Sequence, residues 1–266
     1  MRLNKLLSSA GVASRRVADD LIRQGRVEIN GHVVDKLGTQ ADPEKDDIKI
    51  DGRRLKKQAP ERRYLLLYKP RGVVSTRSDP EQRTTVIDVL NKAGIRGYFY
   101  PVGRLDYDSE GLLIMTNDGA FAERVTHPRY ELERTYEVDI EGTPEERDLE
   151  RLRTGIALDG RKTLPAKVKV LRHTVARKGN QTLIELTLRE GRNRQVRRMC
   201  DAIAHPVDRL RRTKIGPVSD SRIKPGQVRD LTPAEVQALI ATTASPDGST
   251  APSRRTSTKP AKAAKD

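Results

Sequence analysis

The stretch GRLDYDSEGLLIMTNDG, residues 103–119, holds one arginine, four carboxylates and three glycines in seventeen positions. Its second half sets the kind of fold. GLLIMT is a continuous apolar run bounded by Gly111 and by Asn-Asp-Gly, the pattern of a short buried strand closed by a turn. Asp106, Asp108, Ser109 and Glu110 then lie on a loop that enters this strand, where catalytic side chains are commonly displayed. Asp and Ser in such loops also bond to nearby backbone and shape turns, so the residues alone leave both tasks open. Asp106 stands apart because Leu105 and Tyr107 flank it and Arg104 precedes it by two positions.

Outward from this stretch, YLLLY (64–68), TYEVDI (135–140), AKVKVL (166–171) and TLIELTL (182–188) suit strands. PEERDLERL and PAEVQALI suit helices that start after Thr143 and Thr232. Strands and helices do not alternate regularly, so residues 61–240 are expected to form a mixed, mainly antiparallel α+β domain. A helix is also expected in EGRNRQVRRMCDAI, where Val196, Met199, Cys200 and Ile203 make an apolar stripe opposite Arg194, Arg197, Arg198 and Asp201. Cys200 lies on the apolar stripe and reads as core.

The first 60 residues read as a separate small module. Leu3, Leu6, Leu7 and Ala10 recur at helical spacing up to Gly11; Ser14 suits the cap of a second helix carrying Val17, Leu21 and Ile22. Asn30-Gly31 then signals a hairpin. Arg2, Lys5, Arg15, Arg16, Arg23 and Arg26 against two carboxylates make residues 1–26 a candidate grip on a phosphate backbone. DGRRLKKQAPERR (51–63) reads as a linker. Residues 241–266 contain no Val, Leu, Ile, Met or aromatic residue and are expected to be a disordered basic tail.

Fifty-two Lys and Arg against 37 Asp and Glu give a net charge of +15. The tail carries +3 of it, so the excess belongs mainly to the folded part and favours a polyanionic partner. A single cysteine excludes an intramolecular disulfide, and no metal-ligand spacing occurs. No signal peptide or membrane-length apolar run is read, which suggests a cytoplasmic protein. Neither G-x-G-x-x-G nor a P-loop is present, so no nucleotide cofactor is expected.

LNKLLSSAGVASRR with IRQGRVEINGHVV resembles the small RNA-binding module first seen in a ribosomal protein, the S4-like or α-L motif. YKPRGVVSTRSD, GRLDYDSEGLLIMTNDG, HPRYELERTYEV and EGRNRQVRRMCDAIAHPVDRLRR, in that order after it, resemble the bacterial ribosomal RNA pseudouridine synthases. The likeness covers roughly residues 1–240 and leans towards members acting on large-subunit rRNA.

It implies isomerisation of a uridine in ribosomal RNA or a pre-ribosomal particle, by a monomer needing neither metal nor cofactor. By the same resemblance Asp106 is the catalytic carboxylate, Tyr136 lies over the flipped base, and an arginine of GRNRQVRRM supports the aspartate. Arg197 aligns with that arginine, and Arg192 is the other candidate; Arg104 joins them as a substrate-binding residue. Ser109 stands where many relatives have threonine, with little loss of activity expected. Two other readings compete: a non-catalytic RNA-binding or ribosome-assembly factor on this scaffold, and a glycosidase pairing Asp106 with Asp108 or Glu110.

Overall fold

The computed structural model describes residues 1–55, 61–176 and 179–243. In the N-terminal part, α1 (Leu3–Ser9) and α2 (Arg15–Arg23) precede β1 (Val27–Ile29), β2 (His32–Val34), β3 (Ile48–Ile50) and β4 (Arg53–Arg54), which form a sheet in the order β2-β1-β3-β4. The Ser14 hydroxyl caps α2 by accepting from the Val17 amide. Asn30 (φ 52°) and Gly31 (φ 83°) make the β1–β2 turn, both in the left-handed region that a type I′ turn requires. Leu3, Leu6, Leu7, Ala18, Ile22, Val27 and Ile48 form a core of their own. Ala18 takes the inward place expected of Val17, which is half exposed.

The second part contains β5 (Tyr64–Lys69), α3 (Val86–Lys92), β6 (Tyr100–Val102), β7 (Glu110–Thr116), α4 (Gly119–Thr126), β8 (Arg134–Glu141), α5 (Glu146–Thr154), β9 (Ala157–Leu158) and β10 (Arg161–Lys162). It continues with β11 (Lys167–Ala176), β12 (Gly179–Leu188), α6 (Gln195–Asp201), β13 (Val207–Ile215), β14 (Val218–Ser219), β15 (Val228–Asp230) and α7 (Pro233–Thr242). A nine-stranded sheet runs β11-β12-β8-β13-β7-β5-β15, with β14 against β13 and β6 against β7. Its strand pairs are antiparallel except β13 with β7, where Arg211 faces Glu110 and Arg212 faces Gly111. The mixed, mainly antiparallel architecture is therefore as the strand runs implied.

All seven residues of β7 are buried. One apolar cluster joins β5 and β7 to α4 and α7, a second packs α3 on Leu65, Leu67, Leu113 and Met115, and a third sets α5 and α6 against β8, β12 and β13. Val196, Met199, Cys200 and Ile203 are all buried, and burial pushes the Cys200 thiol up to about 12, so it is a core residue and not a nucleophile.

Three boundaries differ from expectation. Helix α7 continues through Ala241 and Thr242, and Thr243 is buried with its hydroxyl donating to Leu239 and Ile240 carbonyls, so these three residues of the expected tail belong to the fold; residues 244–266 of that tail lie outside the described residues. Arg53 and Arg54 of the expected linker pair with β3, and Arg63 donates from its amide to Asn117 and ion-pairs with Asp230 at 2.9 Å; residues 56–60 of that linker lie outside the described residues. Asn-Asp-Gly is a helix start and not a simple turn: Asp118 accepts from the amides of Ala120 and Phe121 and caps α4.

Candidate active site

The loop between β6 and β7 carries Asp106, and its backbone is held at every carbonyl from Arg104 to Ser109. Arg212 Nη1 reaches the Arg104 oxygen at 3.4 Å, and the Ser75 hydroxyl donates to Leu105 at 2.8 Å. The Ser109 amide turns back to Asp106 at 3.1 Å, and the Gly72 amide holds Tyr107 at 2.8 Å. Arg197 Nη2 donates to Asp108 at 3.2 Å and Lys69 Nζ to Ser109 at 2.7 Å. A catalytic group is useful only if its position is fixed before substrate arrives, and these contacts from four other parts of the chain provide that.

The four carboxylates of the stretch have different surroundings. Asp118 is the α4 cap and accepts the Tyr64 hydroxyl at 2.9 Å. Glu110 is buried and ion-paired to Arg209. Asp108 meets Arg194 at 3.3 Å and Arg197 at 3.1 Å; burial works against its charge, but the Arg194 hydrogen bond and both cations outweigh it and hold the carboxyl below its ordinary range. Asp106 alone opens onto a cleft of about 300 Å³, one-third exposed, with Arg194 Nη1 3.9 Å from its Oδ2.

Tyr136 on β8 lines the same cleft and is packed against the third apolar cluster. Arg104 also lines the cleft, exposed and with a side chain that makes no hydrogen bond or ion pair among the described residues.

The GRNRQVRRM arginines divide differently from the expected single stripe. Arg194 adopts left-handed backbone (φ 47°) at the start of α6, a conformation that costs energy outside glycine and turns its guanidinium towards Asp106 and Asp108. Arg197 is 8% exposed and does not line the cleft; it ties α6 to Asp108 and to the Val207 carbonyl at 2.8 Å, so it supports the loop from behind. Arg192 lines the cleft, yet its guanidinium is committed to Glu190 and to the carbonyls of Leu158, Arg161 and Lys162, fastening the β9–β10 hairpin. The Ser109 hydroxyl is buried without a hydrogen-bond partner among the described residues.

Sequence reasoning missed Lys69 entirely. It ends the apolar run of β5, is fully buried, and donates to the Pro70 and Ser109 carbonyls beneath the loop. Burial lowers its pKa to about 8 against the pull of Asp106 and Asp108. A base whose folded pKa is depressed costs stability while both states carry the proton, below about pH 8, and that cost fades between pH 8 and the ordinary lysine value, about 10.4, where only the unfolded chain stays protonated. The urea midpoint of the natural chain should therefore rise relative to Lys69→Met between pH 8 and 10; parallel pH profiles would show that Lys69 titrates normally.

In the N-terminal part, Arg2, Lys5, Arg15 and Arg16 are exposed and make no ion pair among the described residues. Arg23 is paired with Asp20 at 2.5 Å and Arg26 with Asp51 at 2.6 Å, exposed contacts of the kind that contribute about 0–1 kcal/mol. Among the described residues no group of three or more His, Cys, Asp or Glu is placed to hold a metal ion, and no helix is long and apolar enough to cross a membrane.

Comparison with known proteins gives this geometry a family. Residues 63–202 match the RNA pseudouridylate synthase family and residues 1–48 match the S4 domain. The chain belongs to the RNA pseudouridylate synthase family. It is 44% identical over 240 residues to ribosomal large subunit pseudouridine synthase B of Bacillus subtilis, covering 90% of this chain and 96% of that one. An uncharacterized RNA pseudouridine synthase of Aquifex aeolicus is 41% identical, with 90% and 94% covered. A crystal structure of a pseudouridylate synthase superposes with a TM-score of 0.63 at 33% identity, covering 90% of this chain and 99% of that chain. Membership argues against the glycosidase reading, as does the commitment of Asp108 and Glu110 to arginines.

Proposed function

We propose that this chain converts a specific uridine of large-subunit ribosomal RNA to pseudouridine in the cytoplasm, acting as a monomer with Asp106 as the reacting carboxylate. The observation that carries the reading is the division among the four carboxylates: three are committed to a cap or to close arginine pairs, while Asp106 opens onto the cleft that Tyr136 also lines. The likeness to the Bacillus subtilis large-subunit enzyme supports the choice of RNA.

A uridine inside structured RNA reaches this cleft only when extruded, and an aromatic face is a suitable surface for the flipped base. Tyr136 supplies the face, and Arg104 at the rim is free to meet the phosphate or the space that the base leaves. Asp106 then acts on the sugar, either by attack on C1′ or by removal of the 2′ proton, and the freed base turns to present C5 before rejoining. Arg194 sets a cation 3.9 Å from the carboxylate, while Arg197 and Lys69 keep its loop in place. The S4-like part anchors the RNA through Arg2, Lys5, Arg15 and Arg16, with Arg23 and Arg26 exchanging their carboxylates for phosphates.

Pseudouridine mapping of ribosomal RNA from cells with and without the gene tests this. One large-subunit site should vanish on deletion and return with the natural protein. An unchanged map would favour a binding factor on a catalytic scaffold, and a lost small-subunit site would reassign the substrate.

A further inference from the structure

The cleft has a second charged wall that neither Asp106 nor its loop explains. Arg134 precedes Tyr136 by two residues on β8, on the same strand face, and Arg212 on β13 is paired with Tyr136 across the sheet. Both line the cleft. Arg212 is 3% exposed; its Nε donates to Leu112 at 2.7 Å, its Nη1 reaches the Arg104 carbonyl, and its Nη2 has no partner. Arg134 donates to the Leu132 carbonyl at 3.2 Å. Among the described residues neither is ion-paired, whereas Arg194 and Arg197 share Asp108 and Arg209 holds Glu110. Burial lowers the proton affinity of Arg134; Tyr136 opposes that and the nearby charge of Arg212 adds to it.

Two neighbouring cations, one buried and one half-buried, without a carboxylate partner are costly, and the cost is relieved where negative charge arrives. The reaction creates such charge. When N1–C1′ breaks, the bonding pair stays on N1, so the base departs with one negative charge spread over N1, O2 and O4. If Asp106 attacks C1′, it becomes a neutral ester; if it takes the 2′ proton, it becomes a neutral acid. Either route moves one negative charge from Asp106 to the base. The charge returns to Asp106 when C5 bonds to C1′, and the C5 proton is finally exchanged for one on N1.

We infer that Arg134 and Arg212 form the anion site for the departing uracil, receiving beside Tyr136 the charge that Arg194 balances on Asp106 beforehand. This rests on the proposed role of Asp106. Fixed donors aimed at developing charge act mainly on the chemical step, with little effect on substrate binding.

The test uses the full-length protein and large-subunit rRNA transcribed with uridine or with 5-fluorouridine, whose fluorine makes the departing base less basic. Because C5 then carries no proton to lose, the readout is loss of the original nucleoside under single turnover. On uridine RNA, Arg134→Gln and Arg212→Gln should each lose about 10²-fold in rate, with RNA affinity within about twofold of natural. On 5-fluorouridine RNA the deficit should shrink to a few-fold. Arg134, being less buried, keeps the test open if Arg212→Gln fails to fold. Equal deficits on both RNAs would overturn the inference, as would a loss confined to affinity with a salt slope reduced by about one, which marks a phosphate contact. Full activity of Asp106→Asn on uridine RNA would instead remove the reading on which it rests.

Discussion

Asp106→Asn should lower single-turnover pseudouridine formation by about 10³-fold or more, equivalent to at least about 4 kcal/mol of transition-state stabilisation. The change keeps shape and removes only the charge and nucleophilicity of a side chain whose one ion pair among the described residues is with Arg194 at 3.9 Å. Arg194 retains Asp108, and the loop carbonyls retain all their donors, so the fold should be undisturbed and RNA affinity should stay within about twofold. Rates measured with enzyme in excess over labelled RNA, beside a filter-binding titration, separate the two quantities. A residual rate above about one-tenth of natural would mean that another group performs the chemistry, and Asp108, already held ionised, would be the first to examine.

Gly111→Ala is expected to have the largest effect on the fold of any single methyl group added near the site. Gly111 lies at φ +109° where β7 meets β13 in parallel, and a Cβ there would stand 2.3 Å from the Arg212 carbonyl oxygen and 2.6 Å from its amide nitrogen. Both are backbone atoms inside a paired sheet, so no flexible side chain can move aside. The strands must part or the backbone must twist, at a cost of about 3–5 kcal/mol. Parting them also shifts Arg212 from the Arg104 and Leu112 carbonyls, so turnover should fall even at temperatures where the protein stays folded. Urea unfolding with matched single-turnover rates checks both effects. A destabilisation under about 1 kcal/mol would mean that the strands approach less closely than the structure has them.

Much of the architecture was legible because short apolar runs, turn residues and caps are local signals. β7 announced itself by GLLIMT, the first hairpin by Asn-Gly, and α7 by the Thr232–Glu235 capping box. The role proposed for Asp106 rests in the sequence on resemblance, since Leu105, Tyr107 and Arg104 set it apart without telling a reacting carboxylate from a turn-forming one. What separates them is the company the other three keep, in part supplied by Arg197 and Arg209 about 90–100 positions away.

Lys69 was hidden for the same reason. At the end of YLLLYK it reads as a cation reaching for solvent, and only the return of the Ser109 carbonyl beneath β7 makes it a buried donor. The arginines of GRNRQVRRM were grouped correctly as a helix with a buried stripe. Their separate targets depend on the left-handed start at Arg194, which no spacing rule foresees for a non-glycine residue.

The pinned loop bears on how this protein comes into being on the ribosome. Its carbonyls are held by residues from 69 to 212, so the last clamp to be synthesised emerges long after the first helices. The N-terminal part buries its own apolar core within the first 55 residues and can take shape while the rest is still being made. A nascent or half-folded chain can therefore engage RNA before it can alter it, and chemistry switches on only when the sequence-distant strands have closed. The loop that carries Asp106 is thus fully clamped only when the whole fold is complete.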